Sequence, residues 1–445
     1  MGTGQRPARS SAARSRRAPE SARALALRVI RRVTEEGAYS NLTLASELGR
    51  SSLSARDRQF AADLVYGTLR KLLVLDRAIA GVSSRPLASV DPPATALLRL
   101  GAYQLLFSRV PDHAAVSETV ALASARRRGF VNAVLRKLAA APPQPATGTY
   151  DRAVSERTGL AEWAVGELRR ILPEEEVDLA AAGLASQADL ALRTNRCRTA
   201  PERLADRLRD SGFDVTRGLY NSDVLQLRSA IPALLPGYEE GWFTVQDEAS
   251  ALIAAALQVR PGEWALDACA GPGGKATHLA CDARPHGLVV AADVNLRRAR
   301  LVRQTAGRLG APLHVLAQDA RNPSLRACFE AVLVDAPCSG LGAARRRPEL
   351  LWRPTPQLLA RLARLQVAIL VGASGLVRPG GRLVYAVCTF PRAETTAAVR
   401  AFQAKQPDFE PLELPGPDGP ATSHRLWPHR HGTDAMFYAG FRRRP

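Results

Sequence analysis

The segment Trp264-Ala-Leu-Asp267-Ala-Cys269-Ala270-Gly271-Pro272-Gly273-Gly274-Lys275 joins a short apolar run to a glycine turn at the head of a helical pattern. Apolar runs of this length bounded by glycine read as buried strands. The glycines let main chain approach a ligand closely, and a helix beginning there offers N–H groups with no partner inside the helix. A phosphate loop of the form GxxxxGK[ST] is excluded, because it would need glycine at the position of Cys269. What survives is Gly271-x-Gly273-x-x-Ala276, with Asp293 closing the next apolar run where an acid takes a ribose diol.

Downstream of this turn, the apolar runs in GLVVAAD, PLHVLAQ, EAVLVDA and GGRLVYAVC alternate with helical stretches such as 295–309 and 356–376. That alternation predicts parallel strands covered by helices on both faces, with ligands at the carboxyl ends of the strands. Asp319 follows the third run and Asp335 the fourth. NAD and S-adenosylmethionine both carry a ribose diol, so the glycine turn does not separate a dehydrogenase from a methyltransferase. Carboxylates along one sheet edge favour the cationic sulfonium of S-adenosylmethionine over a pyrophosphate.

Upstream, residues 21–141 are helical throughout, as in ARALALRVIRRVTEE and GFVNAVLRKLAAA, and read as an all-α domain. APPQPATG (141–148) reads as a linker, 149–240 as a mixed α/β connector, and 241–445 as the sheet domain. The first 20 residues are rich in Arg and Ser and lack an apolar core, so they are no secretory signal; a disordered basic arm is the simpler reading, with an organelle transit peptide as the alternative.

The 445 residues carry a formal charge of +19, almost all of it from arginine. Residues 1–140 hold 23 basic against 10 acidic side chains, so a polyanion would meet this third of the chain first. No charge-free apolar run is long enough to span a bilayer. The six cysteines form no CxxC pair and no metal-ligand spacing with the histidines, which predicts neither metal nor disulfides and places a monomer in the cytoplasm with reduced thiols. His424, His429 and His431 read as loop histidines.

Two cysteines stand at strand ends, in Asp335-Ala-Pro-Cys338 and in Tyr385-Ala-Val-Cys388-Thr-Phe-Pro391. A thiol beside S-adenosylmethionine suits methylation of a pyrimidine at C5. That carbon is a poor nucleophile until a thiolate adds to C6, and a base must later remove the C5 proton so that the thiol can leave.

At these residues the chain resembles the RNA 5-methylcytosine methyltransferases, and within them the bacterial small-subunit ribosomal RNA enzymes of the Sun/Fmu type. The resemblance extends to Val245-Gln-Asp247-Glu-Ala-Ser250 and to His431-Gly-Thr-Asp434-Ala-Met-Phe437. It implies a Rossmann-like catalytic domain behind a NusB-like, RNA-binding helical domain. It implies Cys388 as nucleophile, Cys338 as the residue assisting release, and Cys269 through Lys275 as the cofactor loop. Asp293 would hold the ribose hydroxyls, Asp319 the adenine, and Asp335 would lie near the methionine moiety and target base. The sequence departs from the family where Thr-Cys-Ser and Pro-Glu-Glu-Asn are usual: it has Val387-Cys388-Thr389, and Pro391-Arg-Ala-Glu394.

Arg345, Arg346, Arg347 and Arg353, with Trp352 among them, follow Cys338 and fit phosphate clamping and base stacking, as do Arg126, Arg127 and Arg128 in the helical domain. A dehydrogenase would leave the cysteines and the charge without a role. A non-catalytic RNA-binding or antitermination factor would leave the cysteines unexplained. The resemblance implies 16S ribosomal RNA as the substrate, with transfer RNA or 23S ribosomal RNA as alternatives.

Overall fold

The computed structural model describes residues 21–140, 148–228 and 230–445, so the basic arm and nearly all of the linker lie outside the described residues. Two compact units divide the chain, one helical over 21–69 and 75–140, the other over 70–74 and from 148 onward.

The helical unit comprises α1 (Ala22–Glu35), α2 (Ser40–Arg50), α3 (Ala55–Arg70), α4 (Leu72–Val82), α5 (Pro92–Phe107), α6 (Asp112–Ala121) and α7 (Ala125–Ala140). In α1 the apolar residues recur at helical spacing and bury Leu25, Val29, Ile30 and Val33, while the Ser21 hydroxyl caps the first turn by accepting from Ala24 N. The core joins Leu75 and Ile79 of α4, Leu97 and Leu98 of α5, and Val131, Val134 and Leu135 of α7. Gln104, wholly buried in α5, donates to Leu100 O and Thr119 Oγ1 and accepts from Arg23, so its amide is not left unpaired.

The larger unit opens with α8 (Tyr150–Thr158), α9 (Glu162–Arg169) and α10 (Glu174–Ala185). An antiparallel sheet follows, made of β1 (Leu190–Thr194), β2 (Thr216–Arg217), β3 (Val224–Leu227) and β4 (Phe243–Val245) in the order β2-β3-β1-β4, with α11 (Pro201–Asp210) between β1 and β2. Strands β2 to β4, of two to four residues, carry no usable alternation, so the sequence shows this region only as a mixed connector.

The main sheet is built from β5 (Trp264–Asp267), β6 (Leu288–Asp293), β7 (His314–Ala317), β8 (Phe329–Asp335), β9 (Val377–Val387), β10 (Phe409–Leu412), β11 (Ser423–Leu426) and β12 (Met436–Arg443). Its order is β10-β12-β9-β8-β5-β6-β7, with β11 on β12. Strands β5 to β9 are parallel, as the alternation predicts, while β10 to β12 add an antiparallel edge. The chain runs outward from β5 to β7 and then returns to β8 on the other side of β5, so the order reverses at the β5/β8 pair.

Successive residues of the central strands serve opposite faces. Helices α12 (Glu248–Ala256), α13 (Gly274–Asp282), α14 (Leu296–Leu309), α15 (Pro356–Ser374) and α16 (Thr396–Lys405) accompany the sheet, and Leu266, Val332, Val334 and Tyr385 pack with Ile369 and Leu370 of α15 and Phe402 of α16. Ala265, Leu333, Val384 and Ala386 pack on the other face with Ile253 of α12 and Leu279 of α13. Each Val or Leu so buried stabilises the fold by about 1.5–3 kcal/mol. The helix α15 is long and apolar enough to cross a membrane by composition, but here it is a core helix against β8 and β9.

One expectation is corrected. Cys197, just after β1, and Cys281, in α13, form a disulfide with Cα atoms 5.8 Å apart. The two lie 84 residues apart, on elements that only the tertiary fold brings together, so no spacing rule could have flagged them.

Candidate active site

Strands β8 and β9 are parallel neighbours in register, Asp335 opposite Ala386, so the loops that leave them start side by side. This places Cys338 Sγ 3.2 Å from Cys388 Sγ. The hydrogen bond from Cys338 lowers the Cys388 thiol, aided by the positive charges of Arg347 and Lys275, while burial opposes. The same bond, with burial, pushes the Cys338 thiol up. Of the pair, Cys388 is thus the more readily deprotonated thiol and Cys338 the less.

The loop after Cys338 is anchored by main chain: Gly342 N donates to Cys388 O at 3.0 Å, and Ala435 N donates to Gly342 O at 3.0 Å. A Cβ at Gly342 would stand 1.8 Å from Ala435 O, so only glycine fits. Farther on, Leu341, Leu350 and Leu351 bury themselves among α8, α9 and α10. Glu394, wholly buried, is hydrogen-bonded to Ser339, the residue after Cys338.

At the neighbouring strand ends four carboxylates follow β5, β6, β7 and β8. Asp335 receives Lys275 Nζ at 2.7 Å. Asp267, 1% exposed, is pushed up to about 7 by burial and by the charge of Asp335. Asp267 was not among the expected ligands, although its place at the mouth of the glycine turn was the signal. Asp293 accepts from Gly271 N at 3.1 Å and Asn295 N at 2.9 Å, and pairs with Arg298 at 3.2 Å. Asp319 is held by Arg321, whose guanidinium lowers its carboxyl below the usual range. Burial, together with the nearby carboxylates, raises the Cys269 thiol, which makes it an inert lining residue.

The glycine turn shapes this hollow. Gly273 has φ +111°, and a Cβ at Gly271 would come within 2.6 Å of Asp293 Oδ2 and of Arg298 Nε. Ala270 N donates to Ala292 O, and Lys275 and Gly274 begin α13. Arg193 of β1, missed in the sequence, donates to Gln246 Oε1 at 2.6 Å and to Gly274 O and Thr277 Oγ1 at 3.2 Å, bracing this helix from below. An acid-lined hollow bounded by glycine main chain fits a ribose and a cationic methionine moiety.

The arginines after Cys338 divide. Arg346 lies between two carboxylates, at 2.7 Å from Asp247 and 3.2 Å from Asp434, and also donates to Asp189 O. Those acids belong to the two outlying motifs noted above, which thereby acquire a structural reason. Arg345 donates to Ser186 Oγ and Gly432 O. Both guanidinia thus have protein partners. Arg347 is half-buried, and Arg353 lies 5.7 Å from the Trp352 ring. In the helical unit Arg126 and Arg128 are exposed on α7, while Arg127 pairs with Asp91.

Contrary to the loop reading, His424 lies in β11, and His429 and His431 lie in α17 (Pro428–His431). His424 bonds Leu414 O, His429 pairs with Glu176, and His431 Nδ1 accepts from Trp427 N. Among the described residues no cluster suited to a metal ion occurs.

Residues 254–442 match the family model "16S rRNA methyltransferase RsmB/F", and residues 20–140 match the NusB family. A probable ribosomal RNA small subunit methyltransferase B of Bacillus subtilis is 34% identical, over 95% of this chain and 99% of the relative. The chain belongs to the ribosomal RNA small subunit methyltransferase B family. As a member it is an S-adenosylmethionine-dependent RNA methyltransferase with an N-terminal NusB-like domain. A putative methyltransferase of Mycobacterium tuberculosis is 39% identical over 96% of the chain and 98% of the relative. In structure it is similar to the crystallised chain PH0851 (TM-score 0.83, 26% identity, 94% of this chain and 98% of that one). NSun6 from Pyrococcus horikoshii, crystallised with SFG, shares the fold (TM-score 0.56, 20% identity, 63% of this chain and 97% of that one).

Proposed function

We propose that the chain methylates C5 of a cytosine in 16S ribosomal RNA through a covalent Cys388–C6 adduct. The observation that carries this reading is the 3.2 Å approach of two thiols at adjacent strand ends, with Cys388 favoured as thiolate. Cys388 adds to C6, and the electron pair displaced from the C5–C6 double bond makes C5 nucleophilic. S-adenosylmethionine supplies the methyl group. With Cys388 bonded to C6, its negative charge no longer faces Cys338; Cys338 then gives its proton to solvent and as thiolate takes the C5 proton, and elimination returns the electrons of the Cys388–C6 bond to the Cys388 sulfur.

Cys269 to Lys275 form the floor of the cofactor site in this reading, with Asp293 at the ribose and Asp335 between the methionine moiety and the base. Asp319 serves the adenine once Arg321 turns aside. Residues 21–141 act as the RNA-binding module, 149–240 as the connector and 241–445 as the catalytic domain of a cytoplasmic monomer. Arg126, Arg127, Arg128, Arg345, Arg346, Arg347, Trp352 and Arg353 are the proposed RNA contacts. The target base is drawn out of its stack, since the thiolate must reach C6 from the face of the ring.

The test is transfer of labelled methyl groups to 16S ribosomal RNA, followed by bisulfite mapping. One protected cytosine in 16S RNA supports the proposal, and label confined to transfer RNA or 23S RNA, or to another atom, refutes it.

A further inference from the structure

Six residues beyond Cys388 the chain turns inward at Glu394, whose side chain has no exposure to solvent. Its Oε1 accepts from Ser339 N and from Gln366 Nε2, both at 2.9 Å, and its Oε2 accepts from Ser339 Oγ at 2.6 Å. Gln366 Nε2 also donates to Pro337 O at 3.0 Å. Pro337 and Ser339 flank Cys338. On the other side, Ser339 Oγ lies 2.7 Å from Thr389 Oγ1, next to Cys388, and Tyr385 Oη donates to Glu394 O at 2.7 Å. One carboxylate on the Cys388 loop thus takes two donors from Ser339, after Cys338, and one from Gln366, which itself holds Pro337 O before it. Burial pushes the Glu394 carboxyl up, and the Ser339 donors oppose that rise. A buried carboxyl with this many donors has a cost that an apolar side chain here would avoid.

We propose that Glu394 is the positioning residue that sets the spacing of the two thiols, by tying the Cys338 loop to the Cys388 loop. Two other contacts join the loops, Ser339 Oγ with Thr389 Oγ1 and Gly342 N with Cys388 O, and neither reaches Gln366, which holds Pro337 O. The largest cause of the lowered Cys388 thiol is its hydrogen bond to Cys338, which a drift of about an ångström would forfeit. The value of the spacing for methyl transfer rests on the thiol chemistry proposed above. The spacing itself does not.

The test uses the full chain without RNA. Alkylation of Cys388 by iodoacetamide is followed against pH by peptide mass spectrometry, with thermal unfolding measured in parallel. Glu394→Ala is expected to slow alkylation at pH 7 by about tenfold and to move the profile upward, the thiolate being the reactive form. Glu394→Gln keeps an acceptor for Ser339 N and Gln366 and turns its amide to Ser339 Oγ, so it is expected to stay within about twofold of the parent. A folded Glu394→Ala chain with the parent profile overturns the proposal. If that variant does not fold, Ser339→Ala, which removes only the hydroxyl donor, decides: slower alkylation supports the tie, and an unchanged profile overturns it. With RNA, loss of the tie is expected to lower kcat with little change in KM. Normal methylation by Cys388→Ala would instead refute the thiol chemistry and leave the tie standing.

Discussion

Replacing Arg346 by methionine removes the cation that bonds both Asp247 and Asp434, and leaves two neighbouring carboxylates in the protein interior. Asp434 is 4% exposed, and even with Arg346 in place its carboxyl is pushed up to about 6, by burial first and by Asp247 second. Breaking a buried pair from one side costs about 3–5 kcal/mol, because the remaining charge is uncompensated. The pH dependence has a definite sign. A carboxyl raised above its unfolded value lets the native state keep a proton that the unfolded chain gives up, so native stability falls as pH rises through that window. Without Arg346 the Asp434 carboxyl rises further, and the window extends upward. The loss in Arg346→Met is therefore expected to be about 3–5 kcal/mol at pH 8 and about 1–2 kcal/mol smaller at pH 5, where a proton on Asp434 replaces the missing cation. All five tryptophans lie beyond residue 148, so urea unfolding followed by tryptophan fluorescence reports on the larger unit. A loss below about 1 kcal/mol, or an equal loss at both pH values, refutes the buried-clamp account.

Gly342→Ala forces a Cβ into Ala435 O, and is expected to destabilise the larger unit by more than about 2 kcal/mol and to abolish methyl transfer, read by the same unfolding assay and by labelled-methyl incorporation. Reducing the Cys197–Cys281 bond, which spans 84 residues, removes up to about 4–5 kcal/mol by loop-closure entropy, so unfolding with and without reductant should differ while the double serine variant shows no such difference. Because Asp267 titrates near 7 beside the cofactor hollow, S-adenosylmethionine affinity is expected to rise several-fold from pH 6 to pH 8 and to flatten in Asp267→Asn, as measured by calorimetry.

The parallel half of the main sheet was legible because its strands are buried on both faces and read as unbroken apolar runs, each followed by a charged or glycine-bearing end. The antiparallel edge was not, since β10 to β12 are broken by Pro411 and by exposed arginines and lie outside the βα alternation. The thiols were legible because strand order alone brings Cys338 and Cys388 together. Arg346 illustrates the opposite case. In the linear chain it is the middle of a charge run, and only the arrival of Asp247 and Asp434 from positions about a hundred residues before and after distinguishes it from Arg347. Arg193 and the Cys197–Cys281 pair were hidden for the same reason, their partners being set by how the small sheet meets α13.

The central claim is the covalent route through Cys388. Cys338→Ala should be incubated with 16S ribosomal RNA and S-adenosylmethionine and resolved on a denaturing gel. A protein–RNA adduct that accumulates in this variant and disappears when Cys388→Ala is added is the predicted result. Undiminished methylation by Cys388→Ala, with no adduct in Cys338→Ala, would contradict it.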